Sequence, residues 1–254
     1  MKTLTKRPLQ KAVESLEARE LLCSTPWYTE YFADVMGSDW AGEEILERWL
    51  SGEGGVMTET EGEWGEYMRA NKLLAPQIAN QLANDAGYRV NSGVVDITFS
   101  AEIENGYRSG YELLHGTNST VGDFTIKGAA HVTNHADGSR TVEYDVKFTW
   151  NDVIDPNPNQ GMSIDPNWGW LIEEASDGVL TDTEIVDIID DYFPCAEDYD
   201  IHIAWLDQPT VTLDANNAIT GTTGYPFDRV DASVYGGAVN DDDRRNTRRT
   251  SRFD

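Results

Sequence analysis

Two acidic residues near the middle of the chain have the types and the spacing that chemistry requires. Asp152 and Asp155 are three residues apart and follow an alternating segment, 142–150. If the alternation continues past residue 150, Asp152 lies on the buried side of a strand, where a carboxylate must be paired, metal-bound or shifted in pKa. Asp155 is followed by Pro and Asn, which is typical of a structural turn. The segment therefore holds either a functional carboxylate pair or a capped turn.

The candidate for a functional imidazole is His115, which lies in a Leu-Leu-His-Gly-Thr segment with Asp123 nearby. A structural histidine that is satisfied within the fold is the alternative. The chain's other histidines, His131, His135 and His202, lie on the polar sides of their predicted strands, where exposed imidazoles usually have no role. The sequence contains no His-Glu-x-x-His, Gly-x-Ser-x-Gly or phosphate-binding Gly-Lys motif, so the common hydrolase and nucleotide-binding classes lose support.

A partial calcium-binding pattern precedes a predicted helix at 184–193. If Gly178 takes the sixth position of an EF-hand loop, Asp177 takes the fifth and Glu184 the last. Ala175 then stands at the third position, where a ligand is required. The same acids also suit the start of a helix, because its dipole favours negative charge there. The sequence leaves open a Ca²⁺ site with Asp177 and Glu184 as ligands, or a capped helix.

The elements that position these residues follow from local periodicity. The first third of the chain is predicted to be helical, and Gly87 lies where a helix C-cap is expected. The apolar residues at helical spacing are Ile45, Leu46, Trp49 and Leu50, then Leu74, Ile78 and Leu82.

The later part of the chain alternates with the two-residue period of half-buried strands, over 95–103, 124–132, 142–150 and 199–205. Asp137-Gly138 predicts an antiparallel hairpin over 123–150, and Asn216-Asn217 predicts a second one. The predicted class is α+β: a helical N-terminal third followed by a mostly antiparallel β-sheet with an inserted helix. The predicted organisation is an export segment at 1–25, a single α+β domain over 26–226 and a flexible polar tail over 227–254.

Composition limits the partners of this chain. Its 254 residues carry a net charge of −26, and the acidic excess is concentrated between residues 23 and 239. Such a body repels nucleic acid and anionic lipid; the acidic excess suits cations, a protein or cell-envelope partner, or solubility in a salty medium, which is the more common explanation. No apolar run reaches the length of a membrane span. The two cysteines, Cys23 and Cys195, are sufficient for one disulfide, although the sequence does not show whether they pair.

The N-terminal segment bears on where the protein is sent in the cell and not on a reaction. Lys6-Arg7 precede Glu14-Ser15-Leu16-Glu17-Ala18-Arg19-Glu20-Leu21-Leu22. This pattern over residues 6–22 resembles the LEPR-XLL motif of exported and surface proteins of planctomycete bacteria, and the resemblance implies an exported, cell-surface or extracellular protein. A short amphipathic helix is the alternative. A conventional signal peptide is not indicated, because charged residues interrupt every apolar run of the segment.

The body resembles a group of uncharacterised bacterial toxin-type C-terminal domains. The segments that carry this resemblance are Trp49-Leu50-Ser51-Gly52, Trp64-Gly65-Glu66-Tyr67-Met68-Arg69, Leu113-Leu114-His115-Gly116-Thr117-Asn118, Val121-Gly122-Asp123-Phe124, Thr149 to Pro158 and Asp198-Tyr199-Asp200-Ile201.

A second similarity is to the colicin M family, which cleaves the lipid-linked peptidoglycan precursor with an Asp-x-Tyr-Asp motif followed by His-Arg. Asp152 and Asp155 match the two carboxylates of that motif in spacing. Ile154 replaces the tyrosine, and Gly161-Met162 stand where the His-Arg pair belongs. The loss of the base and its charged neighbour means that the family's mechanism does not transfer unchanged.

Two functional hypotheses follow from the sequence. The first is an exported acidic bacterial domain of toxin or effector type, with a hydrolytic site that draws on Asp152, Asp155 and His115. The alternative is a non-enzymatic cell-surface or interaction module that divalent cations stabilise. The enzyme hypothesis requires the three side chains to line one cleft.

Overall fold

The structure is a computed structural model that describes residues 33, 39–103, 110, 114, 123–154 and 195–235. The chain divides into two compact units. Unit 1 comprises Met1–Glu59, Ile103–Asp123 and Trp150–Ile203, and unit 2 comprises Thr60–Glu102, Phe124–Thr149 and Ala204–Asp254. No helix in the described part of the chain is long and apolar enough to span a membrane.

Three helices lie in the first part of the described chain, as the apolar spacing predicts: α1 (Trp40–Ser51), α2 (Gly62–Ala70) and α3 (Leu74–Tyr88). Helix α1 is N-capped by Asp39, whose side chain accepts a hydrogen bond from the Gly42 amide, and C-capped by Gly52 in the left-handed region. Its buried residues include the four that the helical spacing identifies, Ile45, Leu46, Trp49 and Leu50.

Helix α3 ends later than its sequence predicts. The helix continues through Gly87 to Tyr88, so the expected glycine cap is wrong. The guanidinium of Arg140 instead donates to the carbonyls of Ala86 and Gly87, at 3.0 and 2.8 Å. A cation at this end also complements the helix dipole. The end of α3 therefore depends on a residue from a distant strand.

Seven strands form one sheet among the described residues. They are β1 (Val56–Thr60), β2 (Gly93–Phe99), β3 (Phe124–Asn134), β4 (Arg140–Ile154), β5 (Tyr199–Asp207), β6 (Thr210–Leu213) and β7 (Ile219–Thr223). The order is β1-β5-β4-β3-β2, and β6 pairs with both β4 and β7. Helices followed by this largely antiparallel sheet confirm the predicted α+β class.

Both predicted hairpins are present. The turn between β3 and β4 closes through hydrogen bonds from His135 N to Ser139 O and from Gly138 N to His135 O. Gly138 has φ +86°, the conformation that a glycine at this position supplies. Strands β6 and β7 pair in antiparallel fashion around Asn217, which also has a positive φ. Local turn chemistry therefore sets the register of both hairpins.

The structure differs from the sequence prediction in two strands. β1 lies inside the third of the chain that is predicted to be helical, and β2 ends at Phe99 instead of residue 103. The short β1 is defined by its neighbour in the sheet, since Asp200 N donates to Gly55 O beside the start of β1. The helix predicted at 184–193 lies outside the described residues. Two short 3₁₀ helices, Phe227–Arg229 and Ala232–Val234, occupy part of the segment for which the sequence predicts a tail.

In unit 1, helix α1 holds the beginning of β5. The Tyr199 hydroxyl donates to the Ile45 carbonyl at 3.0 Å, and Trp49 Nε1 donates to Asp198 Oδ1 at 3.2 Å. A side chain on Gly52 would place its Cβ 2.0 Å from the Cys195 carbonyl oxygen, so only glycine fits there. These contacts fix the strand that carries His202.

Candidate functional site

The far end of β4 presents Asp152 to the buried side of the strand. Every even-numbered residue of β4 is buried, and this alternation continues past Trp150 to Ile154. Asp152 is 8% exposed, which confirms the side predicted for it. Its Oδ1 accepts a hydrogen bond from Val153 N at 2.8 Å. Strand alternation alone thus brings a carboxylate into the interior of unit 1, where it requires polar partners.

The remaining predicted site residues lie outside the described residues. These are Asp155, His115 and the proposed calcium ligands Asp177 and Glu184. Their convergence with Asp152 stays a prediction. Within the described part of the chain, no three His, Cys, Asp or Glu side chains come together as a metal site would require.

The other side of β4 carries a polar network that the sequence does not reveal. Asn151 Oδ1 lies 2.8 Å from His202 Nδ1. Asn151 is also bound to the carbonyl oxygen of Asp123, through its backbone N at 2.7 Å and its Nδ2 at 3.3 Å. The network therefore joins one residue of β4, one residue of β5 and the residue that immediately precedes β3.

His202 differs from the exposed imidazole that its alternation suggests. It is half-buried, whereas His131 and His135 are exposed. His135 Nε2 lies 3.0 Å from the Thr141 hydroxyl on the same hairpin, which is a local surface contact. The sequence places His202 on the polar side of its strand, but only the pairing of β5 with β4 shows which side chain faces it.

Asp123 is a second buried carboxylate among the described residues of unit 1, with 4% exposure. Its main-chain oxygen holds both the backbone and the side chain of Asn151. The sequence pattern marks Asp123 only as a neighbour of His115. The signal that could indicate its burial is its position immediately before the alternating strand that begins at Phe124.

Cys195, which lies shortly before β5, is disulfide-bonded. The sequence contains one other cysteine, Cys23, so an intramolecular disulfide leaves a single choice of partner. A disulfide of this kind persists in oxidising compartments and is rare in the cytosol.

No protein-family model matches this sequence. No curated protein matches it. Among solved structures, it is similar to PaeM, a colicin M-like bacteriocin produced by Pseudomonas aeruginosa, with 14% identity and a TM-score of 0.37 over 68% of this chain and 50% of that chain. The match thus spans half the length of PaeM.

The chain is also similar to the bacteriocin syringacin M from Pseudomonas syringae pathovar tomato. The identity is 14%, the TM-score is 0.36, and the match covers 81% of this chain and 76% of that chain. For a truncated form of syringacin M the values are 14% and 0.35, over 81% and 86%. TM-scores of this size do not establish a shared fold, and no residue role is carried over from these proteins.

Proposed function

We propose that this chain is an exported bacterial domain of toxin type with a hydrolytic carboxylate site at the end of β4. The observation that supports the proposal is the burial of Asp152 at 8% exposure, with a second acid, Asp155, three residues later in the sequence. Burying a carboxylate usually destabilises the folded state, because burial removes the charge from water. Function is a common reason for such a residue at a strand end.

Two carboxylates in one site can divide the work of hydrolysis. The more buried carboxyl group is favoured in its protonated form, and its more exposed neighbour stays ionised. In the proposed site, one of Asp152 and Asp155 activates a water molecule as general base and the other protonates the leaving group. His115 is the proposed source of an imidazole for the same reaction. This division of roles depends on Asp155 and His115 lying near Asp152.

Export is the second part of the proposal. It is supported by the resemblance of residues 6–22 to the LEPR-XLL motif and by the disulfide at Cys195, which suits an oxidising compartment. We expect a chain without residues 6–22 to fold with an unchanged melting temperature but to stay inside its native cell. Fractionation of the cells measures this. A truncated chain that reaches the envelope or the medium at the full-length level would contradict the export proposal.

The hydrolytic site is tested by expression with and without Asp152. We expect the wild-type chain to inhibit the growth of a bacterial host when it is directed to the periplasm, and Asp152→Asn to abolish the inhibition. Asp145→Asn is the matched control, because Asp145 lies on the same strand but is exposed. The purified Asp152→Asn protein should melt at or above the wild-type temperature, since catalytic carboxylates are usually not optimal for stability.

Two results would contradict the hydrolytic site. One is a wild-type chain that is harmless in both the periplasm and the cytoplasm. The other is an Asp152→Asn variant that remains toxic and is less stable than the wild type, as a purely structural role of the ionised carboxylate predicts. The first result would favour the non-enzymatic surface module, and the second would show that the toxicity does not depend on Asp152.

A further inference from the structure

We propose that His202 is a second reactive centre of this chain: an imidazole held by Asn151 so that its Nε2 accepts a proton from a bound water or a ligand hydroxyl group. This centre is separate from the proposed hydrolytic site. Asn151 and Asp152 are adjacent in an extended strand, and their side chains therefore point to opposite sides of it. The inference does not depend on whether Asp152 is catalytic.

The orientation of the Asn151 amide follows from its second partner. Asn151 Nδ2 lies 3.3 Å from the Asp123 carbonyl oxygen, which can only accept. The amide NH₂ must therefore face Asp123, and the amide oxygen Oδ1 must face the imidazole. The two ends of the side chain cannot be exchanged without placing two acceptors against each other.

The orientation of the amide in turn determines the tautomer of His202. Oδ1 of Asn151 lies 2.8 Å from His202 Nδ1 and has no proton to donate. Nδ1 must therefore carry the hydrogen, and in the neutral ring Nε2 carries the lone pair. The backbone carbonyl of Asp123 thus orients the Asn151 amide. The Asn151 amide in turn fixes the tautomer of the His202 imidazole.

The lone pair of His202 is accessible. Among the described residues nothing is hydrogen-bonded to Nε2, and Nε2 is not one of the buried polar atoms that lack a partner. His202 is half-buried as a whole residue, and its Nε2 is not fully enclosed, since it is absent from the buried side-chain atoms without a partner. A positioned imidazole with a fixed tautomer and an open Nε2 is the arrangement that general-base catalysis requires.

In the proposed step, the lone pair of Nε2 takes the proton from the oxygen of a water or hydroxyl group as that oxygen bonds to the electrophilic atom of a bound ester, and the bond from that atom to its leaving group breaks. The ring becomes an imidazolium whose Nδ1–H remains on Asn151 Oδ1. The same proton then passes from Nε2 to the departing group, and the neutral ring is restored. His202 is the base, and Asn151 is a positioning residue that acts through it.

The first arm of the test reads the tautomer by ¹⁵N–¹H long-range correlation NMR of the full chain. The spectrum is recorded at a pH of about 8.5, well above the ordinary imidazole pKa of about 6.5. We expect His202 to show only the Nδ1–H pattern, and we expect this pattern to change to a mixture of tautomers in Asn151→Ala. His131, which is exposed, serves as the internal control and should show the mixture in both proteins.

The second arm reads the reactivity of Nε2 with diethyl pyrocarbonate, followed at each histidine by mass spectrometry. Nε2 attacks one carbonyl carbon of the reagent, an N–C bond forms, and ethyl carbonate leaves and decomposes to ethanol and carbon dioxide. We expect His202 to react several-fold faster than His131 in the same sample. In Asn151→Ala this advantage should be lost, while the rate at His131 stays unchanged.

Two results would overturn the inference: an Nε2–H or mixed tautomer for His202 in the wild-type chain, or a rate at His202 no higher than at His131. Thermal unfolding of Asn151→Ala shows whether the variant is folded. If it is not, the wild-type spectrum and the wild-type rates decide alone, because both contradicting results are read from the wild-type chain. Asp152→Asn should leave both readouts unchanged, so a failure of the proposed hydrolytic site remains distinguishable.

Discussion

Asn151 and Asp152 are neighbours in the sequence, yet their side chains serve opposite sides of β4. Asp152 is buried at 8% exposure, while the Asn151 amide bridges His202 and the Asp123 carbonyl. Two consecutive residues of the strand thus face two different environments. A substitution at either position can therefore be interpreted without removing the other side chain's contacts.

The close approach of β3 to β4 at Gly128 gives the first prediction. A Cβ on Gly128 would lie 2.1 Å from the Asp145 carbonyl oxygen and 2.8 Å from Val146 Cα, and the glycine has φ +159°. Both contacts are with backbone, which cannot move aside. We expect Gly128→Ala to lower the free energy of unfolding by at least about 2 kcal/mol.

Gly221→Ala is the matched control for this prediction, and urea denaturation measures both variants. The nearest atom to a Cβ on Gly221 is Thr212 Cβ at 3.8 Å, an ordinary contact. We expect a change within about 0.5 kcal/mol for this exposed strand position. Equal stabilities of the two variants would show that β3 and β4 leave room for a methyl group at Gly128.

Local sequence signals predict much of this fold because its hairpins are local. Asp137-Gly138 sets the turn between β3 and β4, and the alternation along β4 assigns Asp152 to the buried side. The period of a strand continues through its length, so a buried Trp150 implies a buried residue two positions later. These inferences need no information about distant segments.

The parts that the sequence does not predict depend on distant segments. β1 is a strand because β5 lies beside it, although about 140 residues separate them in the chain. From the sequence alone, His202 is predicted to be an exposed imidazole without a role. Its neighbour Asn151 is identified only by the register between β4 and β5, which the sequence does not show. Periodicity assigns a side chain to a face, and it does not identify the neighbour on the adjacent strand.

Arg140 gives the second prediction, because its guanidinium group donates hydrogen bonds to three acceptors at once. It is 9% exposed and donates to the Ala86 and Gly87 carbonyls and to Asn217 Oδ1, the last at 2.7 Å. Lysine keeps the charge but cannot reproduce the planar fork. We expect Arg140→Lys to cost about 1–3 kcal/mol of unfolding free energy, measured by chemical denaturation.

The control for Arg140→Lys is Arg229→Lys, the same exchange at an exposed position. It should change the free energy of unfolding by no more than about 0.5 kcal/mol. A comparable loss in both variants would mean that the effect comes from the residue type and not from the contacts of Arg140 with α3.

Tyr144 gives a pH-dependent prediction. Its hydroxyl lies 2.8 Å from Asp85 Oδ2 and 3.1 Å from the Leu82 carbonyl oxygen, and its one proton is shared between these two acceptors. Burial, followed by the charge of Asp85, raises the pKa of Tyr144 far above the ordinary value of 10.0. The folded protein therefore keeps this proton at a pH where the unfolded chain has lost it. It follows that stability is fully present below pH 10 and decreases as the pH rises above it.

We expect Tyr144→Phe to lose about 1–2 kcal/mol near neutral pH through the missing hydrogen bonds. Above pH 10 its stability should decrease less steeply than that of the wild type, by up to about 1.4 kcal/mol per pH unit. Denaturation between pH 7 and 11 measures both effects. Tyr88→Phe, at a ring that is 50% exposed, should follow the wild-type curve. Parallel curves for Tyr144→Phe and wild type would contradict the assigned burial.

The last prediction concerns calcium and the sequence pattern that contains Asp177 and Glu184. With a net charge of −26, the chain should bind divalent cations, and binding to the folded state raises the melting temperature by mass action. A specific loop saturates, and at about one hundred times its Kd it adds about 2.7 kcal/mol. A diffuse acidic surface gives a weaker rise that does not saturate.

We therefore expect Ca²⁺ to raise the melting temperature more than NaCl at equal ionic strength. Glu184→Gln should remove the saturable part, whereas Asp145→Asn, at an exposed acid on β4, should leave it unchanged. If Ca²⁺ stabilises the protein no more than NaCl does, the segment is a capped helix without a cation site.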